Sequence, residues 1–170
     1  AIPEQVHSIG VKYVDAPGKY SGMDGLITQN PYIRLTLKVA DCVPVYLYEY
    51  SNKMLSLVHS GWRGTVNGII TKTIELMYKQ GAEVQKILVY LGPAIGVCCY
   101  EVNKEVAENF NDRAKKKLDS GKWKVGLNEQ ITLQLVESGV VESNTMTATK
   151  HTVRYMLIMV DQAQDGRQVE

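Results

Sequence analysis

Two apolar runs, CVPVYLYEY at 42–50 and KMLSLVH at 53–59, flank the short polar turn Ser51-Asn52-Lys53. Runs of this length, rich in Val, Tyr and Leu and broken by so short a turn, predict a β-hairpin and commit the first part of the chain to a sheet. Pro44 has no N–H to give to a ladder, so it belongs at a strand's beginning or at a bulge, close to where the Cys42 thiol emerges. Upstream, VHSIGVKYV at 6–14 reads as a further strand and DAPGKYSGMDG at 15–25 as turns. IRLTLKV at 33–39 alternates apolar and polar residues as a half-buried strand does.

The period then changes. Val66, Ile69, Ile70, Thr73, Ile74 and Met77 recur at helical spacing, with Thr65 placed to cap the start and Gly81 placed to end the helix in a left-handed conformation. KILVYLG at 86–92 predicts a second strand, followed by the loop GPAIGVCCYE and a helix over 103–118 with Val106 and Phe110 inward. A third helix is predicted over 128–137, closed by Gly139. The basic cluster DRAKKKLDSGKWK at 112–124 reads as a solvated helix end, and VRYMLIMV at 153–160 fits either a buried strand or a helix. Strands first, then alternating strand and helix, predict an α+β fold, a mixed α/β layered sandwich, over a single domain 1–170.

A chain of 170 residues can bury roughly 70% of its unfolded surface, so the core needs no disulfides. Three cysteines, with Cys98 and Cys99 adjacent, suit reduced thiols better than a secreted framework. The formal net charge of +1 provides no field to steer nucleic acid or an anionic membrane. No run approaches the roughly 20 apolar residues of a membrane helix, and the opening AIPEQVHS lacks the basic and apolar regions of a signal peptide. These features predict a cytoplasmic protein with neither of those partners. The start without methionine suggests a chain that begins inside a longer protein.

His7, Cys42 and His59 are the candidate metal ligands. Imidazole and thiolate are donors that zinc prefers, and three of them leave the fourth tetrahedral position open, as in catalytic zinc sites. After His59 comes Ser-Gly-Trp-Arg-Gly-Thr. Gly61 and Gly64 allow tight turns, and Arg63, Gly64 and Thr65 at a helix start would form a seat for phosphate or carboxylate. The GxxxxGK[ST] pattern of a P-loop is absent. GPAIG at 92–96 repeats the strand-then-loop arrangement, leading into Cys98 and Cys99, one expected to be buried and one to line a pocket. Ser60 beside His59 makes no triad, since sequence neighbours seldom present their side chains to each other.

QVH at 5–7, DGLIT at 24–28, ADCVPV at 40–45, HSGWRGT at 59–65 and GPAIGVCCYEV at 92–102 together resemble the YfiH family. Its members are labelled multicopper polyphenol oxidases or laccases and are associated with purine nucleoside phosphorylase and adenosine deaminase activities. The resemblance implies zinc on His7, Cys42 and His59. It also implies a layered α/β fold whose first strands lie upstream of this chain, and nucleoside and phosphate as small-molecule partners.

Relatives carry Cys-Thr and Ser-Tyr-Arg-Arg motifs near the C-terminus. Here the chain reads KHTVRYMLIMVDQAQDGRQVE, in which only Gly166-Arg167 matches, so no role is carried to His151, Arg154 or Arg167.

Three functions follow for comparison. A zinc nucleoside enzyme would use Asp41 or Glu101 to move protons, with phosphate against Arg63, Gly64 and Thr65. A copper phenol oxidase shares the two-histidine, one-cysteine set, but a laccase's further copper cluster would have only His151 left among three histidines. A zinc-binding or redox module would have Cys98 or Cys99 as its responsive thiol or its fourth ligand.

Overall fold

A computed structural model describes residues 1–148 and the backbone of 156–160. In chain order the elements are β1 (Ile2–Pro3), β2 (Val11–Tyr13), β3 (Lys19–Tyr20), β4 (Gly25–Thr28), β5 (Leu35–Val39), β6 (Val43–Glu49), β7 (Met54–Ser60), α1 (Trp62–Val66) and α2 (Ile69–Lys79). There follow β8 (Ile87–Leu91), β9 (Glu101–Val102), α3 (Lys104–Ala107), β10 (Lys115–Lys117), β11 (Trp123–Val125), α4 (Leu127–Glu137), β12 (Thr145–Thr147) and β13 (Met156–Val160).

The hairpin forms as its sequence predicts, with β6 antiparallel to β7 from Val43 opposite Ser60 to Glu49 opposite Met54. Pro44 is the second residue of β6. The pair occupies the middle of a six-stranded sheet of order β12-β8-β6-β7-β4-β2, whose two outer pairings are parallel and the rest antiparallel. Along β7, Met54 and Val58 join one core cluster with Ile70, Met77, Ile131 and Leu135 of the helices. Leu55 and Leu57 join a second, with Leu35, Leu37 and Val39 of β5. Every residue of β7 is buried, because helices cover one face of the sheet and β5 covers the other. This is the predicted α+β layered domain.

Local expectations met different fates. The stripe Ile69, Ile70, Thr73, Ile74 and Met77 is the buried face of α2, and Gly81 has φ +94 as a helix-ending glycine should. Thr65, however, does not cap this helix. It sits inside the short α1, and Gly68, at φ +83, separates the two helices. The predicted strand 6–14 is reduced to β2, because Gln5 and His7 adopt positive φ. The predicted helix 103–118 is also corrected. α3 stops at Ala107, Asn111 caps a 3-10 turn by accepting the Arg113 amide at 3.0 Å, and the lysine cluster forms a hairpin of β10 and β11 rather than a helix end. Phe110 is buried as expected, and α4 ends before Gly139 at φ +90. Of the stretch 153–160, Met156–Val160 is a strand antiparallel to β5, and 153–155 lie outside the described residues. Among the described residues no helix is long and apolar enough to cross a membrane.

The hairpin turn carries a buried carboxylate, Glu49, which accepts the amides of Ser51 and Asn52 at 2.9 Å each. Burial alone would raise its pKa, but these amides outweigh it and hold the group below its ordinary value of 4.5. Its stabilising contribution is therefore present above that value and lost as pH falls through the lower folded one. Glu49→Gln should cost about 1 kcal/mol at neutral pH. The deficit relative to the parent should shrink as pH drops below 4.5, which urea titrations across that range will measure.

Candidate metal centre

The sheet register assembles the site. His59 lies opposite Pro44 on β6, and its amide donates to the carbonyl of Asp24, the residue just before β4, at 2.8 Å. Cys42 therefore arrives at the same sheet end, just ahead of β6. His7 comes from the loop between β1 and β2. The ligand atoms of His7, Cys42 and His59 all lie within 4.8 Å of one another. The two imidazoles meet edge to face, with ring centroids 4.8 Å apart. His59 is buried, Cys42 half-buried and His7 exposed, so the group opens to solvent on the His7 side.

Asp24 is buried beneath these side chains. Its Oδ1 accepts from His59 Nδ1 at 2.8 Å and from the His7 amide at 3.0 Å, and its Oδ2 accepts from the Ser8 amide at 2.8 Å. Desolvation would raise its pKa, but the hydrogen bonds from His59, Ser8 and His7 win and bring it down to about 2. Burial pulls His59 the other way from its partners. The bonds to Asp24 and Cys42 prevail and raise it to about 9. A carboxylate ionised over this range can only accept, so His59 Nδ1 carries hydrogen, and Nε2 is the nitrogen that would give up its proton to become a ligand.

Gly61 makes room for the group. An added Cβ would lie 3.0 Å from Cys42 Sγ, 3.1 Å from His7 Cδ2 and 3.8 Å from His59 Cε1. Its φ of −78° suits any residue, so close approach rather than backbone freedom requires glycine here. The donor set and this cradle together fit a borderline-soft divalent ion such as zinc, with two nitrogen ligands, one sulfur and an open side. Gly61→Ala should fold, yet weaken metal binding by about 10-fold or more, the scale seen when the surroundings of metal ligands are disturbed. Competition with a chromophoric chelator will measure it.

Around the group, Asp41 has φ +67, and the Cys42 amide donates back to the Ala40 carbonyl at 2.8 Å, a strained γ-turn. The Asp41 carbonyl accepts the Ile95 amide at 2.9 Å, which ties the 92–100 loop to the site, and its Oδ1 is buried without a hydrogen-bond partner among the described residues. Tyr100 is half-buried. Burial first, then the charges of Cys42 and Asp41, raise its phenol pKa against the opposing effect of Arg63.

Arg63 is exposed and stacks on Trp62, its guanidinium carbon 4.5 Å from the ring centroid. Gly64 and Thr65 are buried. The Thr65 amide and hydroxyl both donate to the Gly61 carbonyl, and the Ser60 hydroxyl lies 2.7 Å from Thr65 Oγ1. A Cβ on Gly64 would stand 3.1 Å from the Ser8 carbonyl. Of the predicted anion seat, Arg63 is thus exposed, whereas Gly64 and Thr65 are buried. Glu101 is exposed on β9 and paired with Lys122 at 3.1 Å. Cys98 and Cys99 are both exposed, correcting the expected buried partner, and their sulfurs are 2.9 Å apart. Among the described residues neither joins the ligand group as a fourth member. The cavity of about 480 Å³ beside their loop is lined by Ile95, Gly96 and Val97 and by α4. His151, Arg154 and Arg167 lie outside the described residues.

A family model described as multi-copper polyphenol oxidoreductase laccase matches residues 1–169. The chain belongs to this family. Within it, the chain is 32% identical over 173 residues to adenosine deaminase RL5 of an unknown prokaryotic organism, covering 89% of this chain and 66% of that protein. It is 32% identical over 157 residues to a purine nucleoside phosphorylase of Bacteroides thetaiotaomicron, covering 82% and 58%. The crystal structure of YlmD from Geobacillus stearothermophilus superposes with a TM-score of 0.88 at 28% identity, covering 95% of this chain and 72% of YlmD. Bacillus licheniformis YfiH superposes at 0.83 with 26% identity, covering 88% and 63%. The family resemblance and the layered fold both stand. The chain spans about three fifths of the length of the relatives it matches.

Sequence reading passed over Asp24 and Tyr100 as parts of the site. Asp24 stands in DGLIT, where an acid immediately before a fully buried strand is a signal in itself, since such a carboxylate needs donors.

Proposed function

We propose that the chain is a zinc-dependent purine nucleoside enzyme, catalysing phosphorolysis and adenosine deamination. His7, Cys42 and His59 hold the metal. The observation that carries this reading is the convergence of three soft and borderline donors within 4.8 Å around a glycine that leaves them space. The names of the relatives supply the substrate class. Zinc at this site supplies a Lewis acid and lowers the pKa of water.

The chain's own residues take the remaining tasks. Asp41, next to Cys42 in sequence, moves protons, since its Oδ1 has no hydrogen-bond partner among the described residues. Arg63 binds phosphate through its outward guanidinium fork, while Gly64 and Thr65 shape the corner that carries it. The Tyr100 phenol feels the charges of Cys42, Arg63 and Asp41. Glu101 is exposed and paired with Lys122 at 3.1 Å, so the proton-moving role is assigned to Asp41.

Copper accepts the same three donors and remains the alternative metal. The nucleoside reading is preferred because the relatives at about 30% identity are named for nucleoside chemistry.

A panel of inosine and guanosine with and without phosphate, and of adenosine for deamination, tests the proposal. Free base should appear only with phosphate, and Arg63→Ala should weaken phosphate use more than deamination. Equal loss of both activities would remove the phosphate role from Arg63.

A further inference from the structure

Asp24 is tied to two ligands from distant parts of the chain. Its carbonyl accepts the His59 amide across the ladder, and its Oδ1 accepts both the His59 ring N–H and the His7 amide. Oδ2 takes the Ser8 amide at 2.8 Å, the Ser8 hydroxyl at 2.9 Å and the Val6 amide at 3.2 Å. Three successive amides, those of Val6, His7 and Ser8, thus converge on one carboxylate. Gln5 at φ 63° and His7 at φ 59° bend the backbone into a nest for an anion. The start of the nest is held in turn, because the Gln5 side-chain amide exchanges hydrogen bonds with the backbone of Lys38 at 2.6 and 2.8 Å. Non-glycine residues enter this conformation only when their surroundings over-determine it. Here the carboxylate does so.

We propose that Asp24 is the positioning residue of the metal centre, fixing the tautomer of His59 and the backbone of His7 so that both ligands meet Cys42 before any ion arrives. The inference rests on the metal reading above. Only a carboxylate satisfies all five donors. An asparagine would keep one acceptor oxygen and turn an NH₂ against the remaining N–H groups.

The test compares zinc affinity, by chelator competition, and the charge-transfer and ligand-field spectrum of the cobalt-loaded protein, for the parent chain, Asp24→Asn and Ser8→Ala. Asp24→Asn should bind zinc about 10- to 100-fold more weakly, the usual cost of losing a ligand's hydrogen-bond partner, and should change the cobalt spectrum. Ser8→Ala removes one hydroxyl from Oδ2 but spares the bonds to His59 and His7, so its cobalt spectrum should match the parent's. A folded Asp24→Asn chain with parental affinity and spectrum overturns the inference and leaves the metal site standing. A parent chain that binds no metal overturns both. A separate reading needs no variant: long-range proton–nitrogen NMR of the zinc-loaded parent should show His59 protonated at Nδ1 and metal-bound at Nε2, and metal at Nδ1 overturns the inference.

Discussion

Cys42→Ala and His59→Ala should each purify without bound metal, and their zinc affinities should fall by more than the roughly 100-fold that marks the upper range for outer-shell changes. The reasoning is coordination arithmetic. Three ligands converge, so removing one leaves two donors for an ion that ordinarily takes four. The two variants should differ in stability. Cys42 is half-buried and its loss removes a small side chain, whereas His59→Ala strips the buried Asp24 carboxylate of its ring donor. Losing one hydrogen bond to a charged group costs about 1.5–3 kcal/mol, with the four donors of residues 6–8 still on Asp24. Calorimetry should therefore find His59→Ala the less stable, and metal analysis should find both empty. Retention of the metal by both variants would remove these residues from the site.

Asp41→Asn should retain its metal and lower nucleoside turnover by about 10²–10⁴-fold, the usual contribution of a positioned acid or base. The Asp41 side chain lies outside the ligand group, so metal content separates its role from theirs. Its backbone contacts, the carbonyl to Ile95 and the turn joining Ala40 to Cys42, do not involve the carboxylate, and asparagine tolerates positive φ. Assays of inosine with phosphate and of adenosine, alongside metal quantification, measure the effect. Parental turnover in the metal-loaded variant would take proton transfer away from Asp41.

Much of the fold was legible because its signal is periodic. The hairpin of β6 and β7 and the stripe of α2 depend on which faces are buried, and apolar spacing records that directly. The same signal misleads in the region after Asn103. Val106 and Phe110 have helical spacing, yet the side chain of Asn111 caps a turn and its amide donates to Gln130 Oε1 at 2.8 Å, so the chain leaves the helix. Residues 5–8 were illegible locally. Their left-handed bend answers a carboxylate that approaches from Asp24, and no nearby residue announces it. The ligands themselves were legible as residue types suited to zinc, but their distance in sequence hid the grouping, which the family motifs carried. From sequence Gly61 reads as a tight-turn glycine, whereas its value is the volume it leaves free.

Hypoxanthine release from inosine and phosphate, followed on one preparation as isolated, after chelator treatment and after zinc is returned, decides whether the metal group serves nucleoside chemistry. Phosphate-dependent release should disappear with the metal and come back with it. Release that continues unchanged in the stripped protein, or none from the zinc-loaded protein, would contradict the zinc-dependent reading.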